Sequence, residues 1–281
     1  MIEIHFEELN DAAFVYAQLE KYHSGVSNTG SVRLQEYTVL IDLPFEEDVY
    51  IQVVLIPVLI QFILKTKEYK WIMSVLSRVF YYHDIEEHNE ILHIAHSIMN
   101  GSRKDIPKKG TGKSRDELLF EALQGFIQNP ISFSFESLVR FRLKPYMMYL
   151  LRVTELAIDE YKLEQDYQTF IETLRQHVSN RKARLSSIHL VFNGDFIFYD
   201  EKGGCLNQEK LVQYIDEKIV KHNEFYIDAN VIAPLVSIAP EKIHLYTAYL
   251  DDNMVVTIQN VFQERVKVYS VQEFEKKFRA E

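Results

Sequence analysis

The sequence predicts a mixed α+β protein. A helical N-terminal region opened by a strand–helix–strand unit is followed by a C-terminal α/β domain with a β-hairpin and a small mixed sheet. Three observations carry this reading. Residues 2–6, IEIHF, alternate apolar and polar as a half-buried strand does. From residue 46 to residue 178 apolar side chains recur at helical spacing. After residue 188 the period returns to two, and strand-like and helix-like segments then alternate.

Taken in order, Asn10-Asp11 marks a helix start, and Phe14, Val15, Leu19 and Tyr22 form its stripe. Residues 25–31 are small and polar, a loop. Residues 32–43 are β-rich and stop before Pro44. Residues 49–64 are the most apolar stretch. At 16 residues they fall short of the ~20 needed to span a bilayer. A buried core helix is the expectation, with Leu55, Leu59, Phe62 and Ile63 on its inner face. A second helix is expected through Trp71, Val75, Val79 and Tyr82. A third carries Ile91, Ile94, Ala95 and Ile98 and stops at Asn100-Gly101. Ser114-Arg115-Asp116-Glu117 has the form of a capping box. The helix it opens is expected to end at Asn129-Pro130. A long helix with Leu143, Leu150, Thr154 and Ala157 on one face comes next, started or kinked by Pro145. Another follows, with Tyr167, Phe170, Ile171, Leu174 and Val178. Residues 179–187, SNRKARLSS, are a polar linker, which divides the chain into domains 1–178 and 188–281.

In the second domain Ile188, Leu190 and Phe192 precede Asn193-Gly194, and Phe196 and Phe198 follow. Asn-Gly between alternating strands predicts a two-residue hairpin turn, because both residues tolerate positive φ. Asn207 is placed to cap a helix with Leu211, Ile215 and Ile219. Further helices are expected over 228–239 and 252–262, with strands at 242–246 and 266–269. A strand–helix–strand crossover predicts parallel pairing.

Composition narrows the function classes. The 281 residues carry 31 Lys+Arg against 41 Asp+Glu, a net charge of −10, and 47% are hydrophobic. A core of ordinary size can form. The acidic balance disfavours bulk nucleic-acid binding and anionic membranes. Nine glycines disfavour glycine-rich phosphate-binding folds. Cys205 alone excludes an internal disulfide framework and suits a reducing cytoplasm. The N-terminus lacks the pattern of a signal peptide.

Four groups of residues could carry chemistry. Residues 102–115 hold six bases, Arg103, Lys104, Lys108, Lys109, Lys113 and Arg115, against Asp105. Such a cluster could bind phosphate groups by releasing counterions. Its Gly110–Ser114 run resembles the end of a P-loop, but Pro107 stands where the first glycine belongs and no strand feeds the loop. A solvated connector is the alternative. His83, His88, His93 and His96 lie among Asp84, Glu86, Glu87 and Glu90. Glu90 to His93 matches one Glu-x-x-His half-site, and its only echo, Glu241 to His244, falls in an expected strand. One half-site cannot close a coordination sphere, so no metal or cofactor is expected. Asp159, Glu160, Glu164 and Asp166 form an acidic run suited to a solvated helix face. Cys205 has only Lys202 as a basic neighbour in sequence, which gives no reason for a reactive thiol.

Two stretches carry a resemblance. Residues 141–178 include Phe141-Arg142-Leu143 and the run from Glu164 to Ile171 with Tyr167 and Phe170. Residues 226–246 include Ile238-Ala239-Pro240 before the Lys242 to Tyr246 strand, and TIQNVFQERV follows at 257–266. Together they resemble the YtxC-type sporulation protein family of endospore-forming bacteria, over roughly two thirds of the chain. The chain departs from it at YIDANVI, where an LNYEDLL-type helix start is expected, and at VYSVQEF, which lacks a cysteine. The resemblance implies a spore-formation context and no reaction, cofactor or catalytic residue. The expectation is a cytoplasmic, non-enzymatic protein that acts on a protein partner. Phosphate binding by the basic segment is the alternative, with a metal-dependent enzyme at residues 83–96 after it.

Overall fold

The computed structural model describes residues 1–23, 30–42, 47–103, 113–127, 132–216, 228 and 230–278. It divides into two compact units, Met1–Lys162 and Leu163–Glu281. The division differs from the one expected at 179–187. Ile171, Leu174 and Val178 explain why: they pack with the core of the second unit.

In the first unit the elements are β1 (Ile2–His5), α1 (Leu9–His23), β2 (Ser31–Gln35), β3 (Thr38–Asp42), α2 (Asp48–Arg78), α3 (Ile85–Met99), α4 (Arg115–Gln124), β4 (Ser132–Ser134) and α5 (Phe135–Arg142). Helix α6 (Lys144–Ser179) follows and includes the division between the units. The sheet runs β2-β3-β1-β4, antiparallel except for the parallel β1/β4 pair. Ile2, Ile4, Val39 and Ile41 turn into the core, while His5, Thr38, Arg33 and Asp42 form the outer, polar face. The expected single strand at 32–43 is a hairpin. Gln35 pairs with Thr38, leaving Glu36-Tyr37 as the turn, with Glu36 at φ 51°. No Gly or Asn marks this turn, so turn chemistry could not reveal it.

The two expected helices between 46 and 82 are one. α2 is long and apolar enough to cross a membrane by length and composition, with a mean hydropathy of 1.9 in its most apolar window. Leu55, Ile56, Leu59, Phe62 and Ile63 on it are nevertheless fully buried in the core of the unit. The helix widens into π-turns over Ile51–Leu55 and Ile63–Lys67. Pro57 accounts for the first: it has no N–H to donate and crowds the preceding turn, so the ladder widens just before it. There the Ile56 N–H bonds to Ile51 O. In the second, the Glu68 N–H bonds to Ile63 O. This extra residue rotates the buried face. Core contacts resume at Glu68, Ile72 and Leu76, and Val79 is left 52% exposed, against the stripe expected through Val75 and Val79.

The consequence is two consecutive charges facing the interior. Lys67 donates to Asp11 of α1, with side chains 11% and 6% exposed. The Lys67 ammonium also lies 5.7 and 5.9 Å from the ring centres of Phe62 and Phe135. Glu68, 1% exposed, accepts from Arg115 of α4 at 2.9 Å and from the Tyr146 hydroxyl of α6. Arg115 also donates to the Asn100 side chain at 3.3 Å. Burial, and then the Glu68 carboxylate, push the Tyr146 hydroxyl far above its ordinary range, so it stays a donor. The Ser114–Glu117 capping box starts α4 as expected and so fixes where Arg115 stands. That helix ends at Gln124, before the expected stop at Asn129-Pro130.

The second unit holds the last turns of α6, β5 (Ser187–Phe192), β6 (Phe196–Tyr199), β7 (Cys205–Leu206), α7 (Gln208–Val212), α8 (Ile232–Ile238), β8 (Lys242–Thr247), α9 (Asn253–Phe262), β9 (Val266–Tyr269) and α10 (Val271–Phe278). Its sheet runs β7-β6-β5-β8-β9. β8 and β9 are parallel, as the crossover predicts, β5 is parallel to β8, and β6 and β7 run antiparallel to their neighbours. Ile188, Leu190, Ile243 and Leu245 face a core shared with α6, α8 and α9. The helices expected from 143 to 161 and from 167 to 178 are the single α6, since no breaker separates them. The Asn193-Gly194 hairpin forms with a different turn. Phe192 pairs with Phe196, which leaves three loop residues, and only Gly194 has positive φ, at 94°. Asn207 caps α7 as expected, but that helix ends at Val212; Ile219 lies outside the described residues. α10 carries no signal that the sequence reading used.

Replacing Lys67 by Met should destabilise the chain by about 3 kcal/mol in urea unfolding, because Asp11 is left buried without a counter-charge. Adding Asp11→Asn should recover about 1–2 kcal/mol of that loss. A double variant no more stable than the single one would show that the pair does not hold α1 to α2.

Candidate functional site

Polar chemistry in the second unit gathers on the sheet face opposite the apolar core. Strand alternation places it there. While Ile188 and Leu190 of β5 turn inward, His189 turns the other way, and so do Lys242, His244 and Tyr246 of β8. Register then aligns them. His189 pairs with Tyr199 on one side and His244 on the other, and His244 pairs with Lys267 of β9. One row across the sheet therefore reads Tyr199, His189, His244, Lys267. The adjoining row holds Val191, Tyr246 and Tyr269.

The two imidazoles stack with centroids 4.6 Å apart and planes at 15°. His189 Nδ1 lies 3.0 Å from the Tyr246 hydroxyl, and both residues are 2% exposed. α10 closes this part of the face. Phe274 packs on Tyr199 and Tyr246 at 4.7 and 5.1 Å, and the Phe278 ring stands edge-on to His189 at 4.8 Å. Gly203, at φ 82°, makes the room. A Cβ there would lie 2.4 Å from Phe278 Cδ1. The α10 start is held by Glu273, which accepts from the Ser270 N–H and hydroxyl.

Burial, and then the neighbouring His244 and Lys277, push the His189 imidazole down to about 4. His244 is lowered too, first by burial, then by Lys277, Lys267 and Lys242. Burial raises the Tyr246 hydroxyl. At neutral pH the arrangement is a neutral imidazole pair bonded to a protonated phenol, edged by lysine ammonium groups. It can donate hydrogen bonds and attract an anion.

A second feature lies at the carboxyl ends of β5 and β8. Phe192 and Phe196 stack at 4.3 Å, and the Tyr249 ring meets Phe192 edge-on at 5.9 Å. Tyr249 and Leu250 are 54% and 55% exposed. The Thr247 hydroxyl accepts from the Tyr249 N–H at 2.9 Å and fixes the turn that presents them.

The residues singled out in the sequence are placed as follows. Lys104, Lys108 and Lys109 lie outside the described residues. Arg103 pairs with Glu160 at 2.6 Å, Lys113 with Glu121 at 2.7 Å, and Arg115 with buried Glu68. His83 and His93 are exposed, whereas His88 is buried and its Nε2 lies 2.8 Å from the Tyr82 carbonyl. Asp84 caps α3, accepting from the Glu86 and Glu87 N–H groups. Glu87 accepts from the Tyr161 hydroxyl at 3.3 Å. Among the described residues no group of three or more His, Cys, Asp or Glu side chains could hold a metal ion. Asp159, Glu164 and Asp166 are exposed, and Cys205 is free and exposed. The sequence reading passed over His189, Tyr246, Lys267 and Lys277. The signal available was alternation, with Ser187 and His189 on one strand and Lys242, His244 and Tyr246 on the other, each separated by an apolar residue.

Because His189 takes up its proton near 4 when folded and near 6.5 when unfolded, the unfolded chain binds more protons between those values. Stability should therefore be full above pH 6.5 and fall as the pH drops towards 4, by on the order of 3 kcal/mol. Denaturant unfolding at a series of pH values checks this. In His189→Gln the slope over that window should flatten, and an unchanged slope would remove His189 as its cause.

Comparison with known proteins closes the description. The YtxC-like family matches over residues 54–267. A protein of Bacillus subtilis (strain 168), named "Uncharacterized protein YtxC", is 36% identical over 275 residues, which cover 98% of this chain and 96% of that protein. No solved structure matches. With that span of the chain matched, it belongs to the YtxC-like family.

Proposed function

We propose that this chain is a cytoplasmic sporulation protein that acts without catalysis, by holding a protein partner. The family resemblance supports the spore-formation context. The observation that carries the contact reading is the Phe192, Phe196, Tyr249 and Leu250 patch. Tyrosine and phenylalanine are enriched at the cores of protein contacts. More than half of Tyr249 and Leu250 is open to solvent, on a turn braced by Thr247. The patch also lies where open α/β sheets place their binding loops, at the carboxyl ends of parallel strands.

Phosphate binding by Arg103, Lys104, Lys108, Lys109, Lys113 and Arg115 ranks second. Arg103, Lys113 and Arg115 each lie against a carboxylate of this chain, which an incoming phosphate would have to displace. A metal-dependent activity at residues 83–96 ranks third, because His88 is bonded to a backbone carbonyl and Asp84 to the start of its own helix.

The test uses an endospore-forming host with the chain at native abundance. Tyr249→Ser with Leu250→Ser should lower heat-resistant spore counts and lose a protein that the parent chain retains during sporulation. An unchanged melting temperature in the variant separates lost contact from lost fold. If the double variant sporulates normally and keeps the same partner, the patch is not the contact.

A further inference from the structure

We propose that the corner of the second sheet formed by Lys242, His244 and Lys267, with Lys277 of α10 beside it, binds a phosphate group. This site is distinct from the aromatic patch and does not rest on the protein-contact reading. The juxtaposition follows from register and alternation. His244 and Lys267 are direct partners on neighbouring parallel strands, and Lys242 lies two residues before His244 on the same face. α10 brings Lys277 to the same place through Phe278, whose ring rests on His189, the stacking partner of His244.

The charge balance at this corner is uncompensated. The described residues give no ion pair to Lys242, Lys267 or Lys277; the Lys277 ammonium lies 5.1 Å from the Phe278 ring centre. Two carboxylates act on the rings beside the cluster, Asp200 on His189 and Glu273 on Tyr246. Both are already occupied by backbone donors. Asp200 accepts from the Lys202 and Gly204 N–H groups, and Glu273 accepts from Ser270. Three ammonium groups thus act on one imidazole, and among the described residues no carboxylate is bonded to any of them. In a chain of net charge −10 this is a local reversal of sign.

The ligand class follows from that chemistry. Ammonium groups at the edge of a sheet bind a compact, doubly charged oxyanion better than a single carboxylate, because the Coulomb attraction grows with ligand charge. The half-buried rings of His244 and Tyr269, 5.6 Å apart, flank the lysines and offer a stacking face for a base. A phosphate group, free or carried by a nucleotide, is the shared chemistry.

His244 gives the site a pH dependence. The groups around it are His189 from β5, Lys242 and Tyr246 from β8, and Lys267 and Tyr269 from β9; Lys277 and Glu273 come from α10, Tyr199 from β6 and Asp200 from the turn after β6. Burial and the lysines hold His244 below its ordinary range. A bound dianion offsets the lysines and favours the imidazolium. The phosphate group loses its second charge below about pH 6, which opposes this effect, so the coupling is read from the rise of the His244 titration midpoint and not from the affinity at low pH.

The full chain, with its imidazoles followed by NMR, is titrated at low ionic strength with inorganic phosphate and, separately, with adenosine monophosphate. The His244 resonances should shift saturably, and its titration midpoint should rise in the presence of phosphate. Lys242→Gln with Lys267→Gln should weaken binding at least about tenfold, and Lys242→Arg with Lys267→Arg should restore it. Unmoved His189 resonances show that the variants keep the fold. Tighter binding of the nucleotide identifies a stacked base, and equal binding identifies the phosphate alone. The proposal fails if the shift does not saturate, if chloride at equal ionic strength reproduces it, or if the Gln variant binds as tightly as the parent.

Discussion

The first unit is organised by a constraint that sits awkwardly with a hydrophobic core: Lys67 and Glu68 are adjacent in sequence, and both are buried. Withdrawing a charge from water costs several kcal/mol, so each must meet a partner inside. Lys67 meets Asp11 and the faces of Phe62 and Phe135; Glu68 meets Arg115 and Tyr146. These partners come from α1, α4, α5 and α6, so satisfying two neighbouring side chains of α2 fixes the elements around it. A regular α-helix turns consecutive residues about 100° apart, yet here both find the interior. The π-turn at Ile63–Lys67 makes the phase change that brings Glu68 inward in line with Ile72 and Leu76. Nonpolar contacts are forgiving about angle; a buried charge pair is not, and it selects one arrangement of the surrounding helices.

The second unit treats its sheet differently on its two faces. One is an apolar layer against α6, α8 and α9. The other is aromatic and polar, closed by the short helix α10 through Phe274 and Phe278. Burying two imidazoles on that face is tolerable only while they stay neutral, which ties the packing of α10 to protonation. The lysines at the margin add to the same effect, since their field opposes a charge on either ring. Structure and electrostatics are thus coupled where α10 meets the strands, while the aromatic patch at the carboxyl ends of β5 and β8 depends on turn geometry alone.

Legibility varied with the range of the interaction responsible. The Ser114–Glu117 box, the Asn207 cap and the Asn100-Gly101 stop were readable because each is settled within four residues. So was the parallel pairing of β8 and β9, through the helical crossover between them. The β2–β3 turn was not, because Glu36 takes positive φ without being Gly or Asn. The Phe192 to Phe196 turn was half readable: the Gly194 signal was right, and the loop length was set by strand register. Trp71, Val75 and Val79 misled because a fixed helical period cannot foresee an inserted π residue.

The sequence by itself determined the mixed α+β class, the positions of most elements, the acidic balance and the family resemblance, because composition, caps and periodicity are local properties of the chain. Only the tertiary structure decided that His189, His244 and Lys267 share one row, since these residues lie 55 and 23 positions apart and meet only through parallel register. It also decided that Arg103, Lys113 and Arg115 of the basic segment turn to Glu160, Glu121 and Glu68. A charge advertises itself in sequence, but its partner is chosen by which surfaces the fold brings within a few ångströms, and no spacing along the chain encodes that distance.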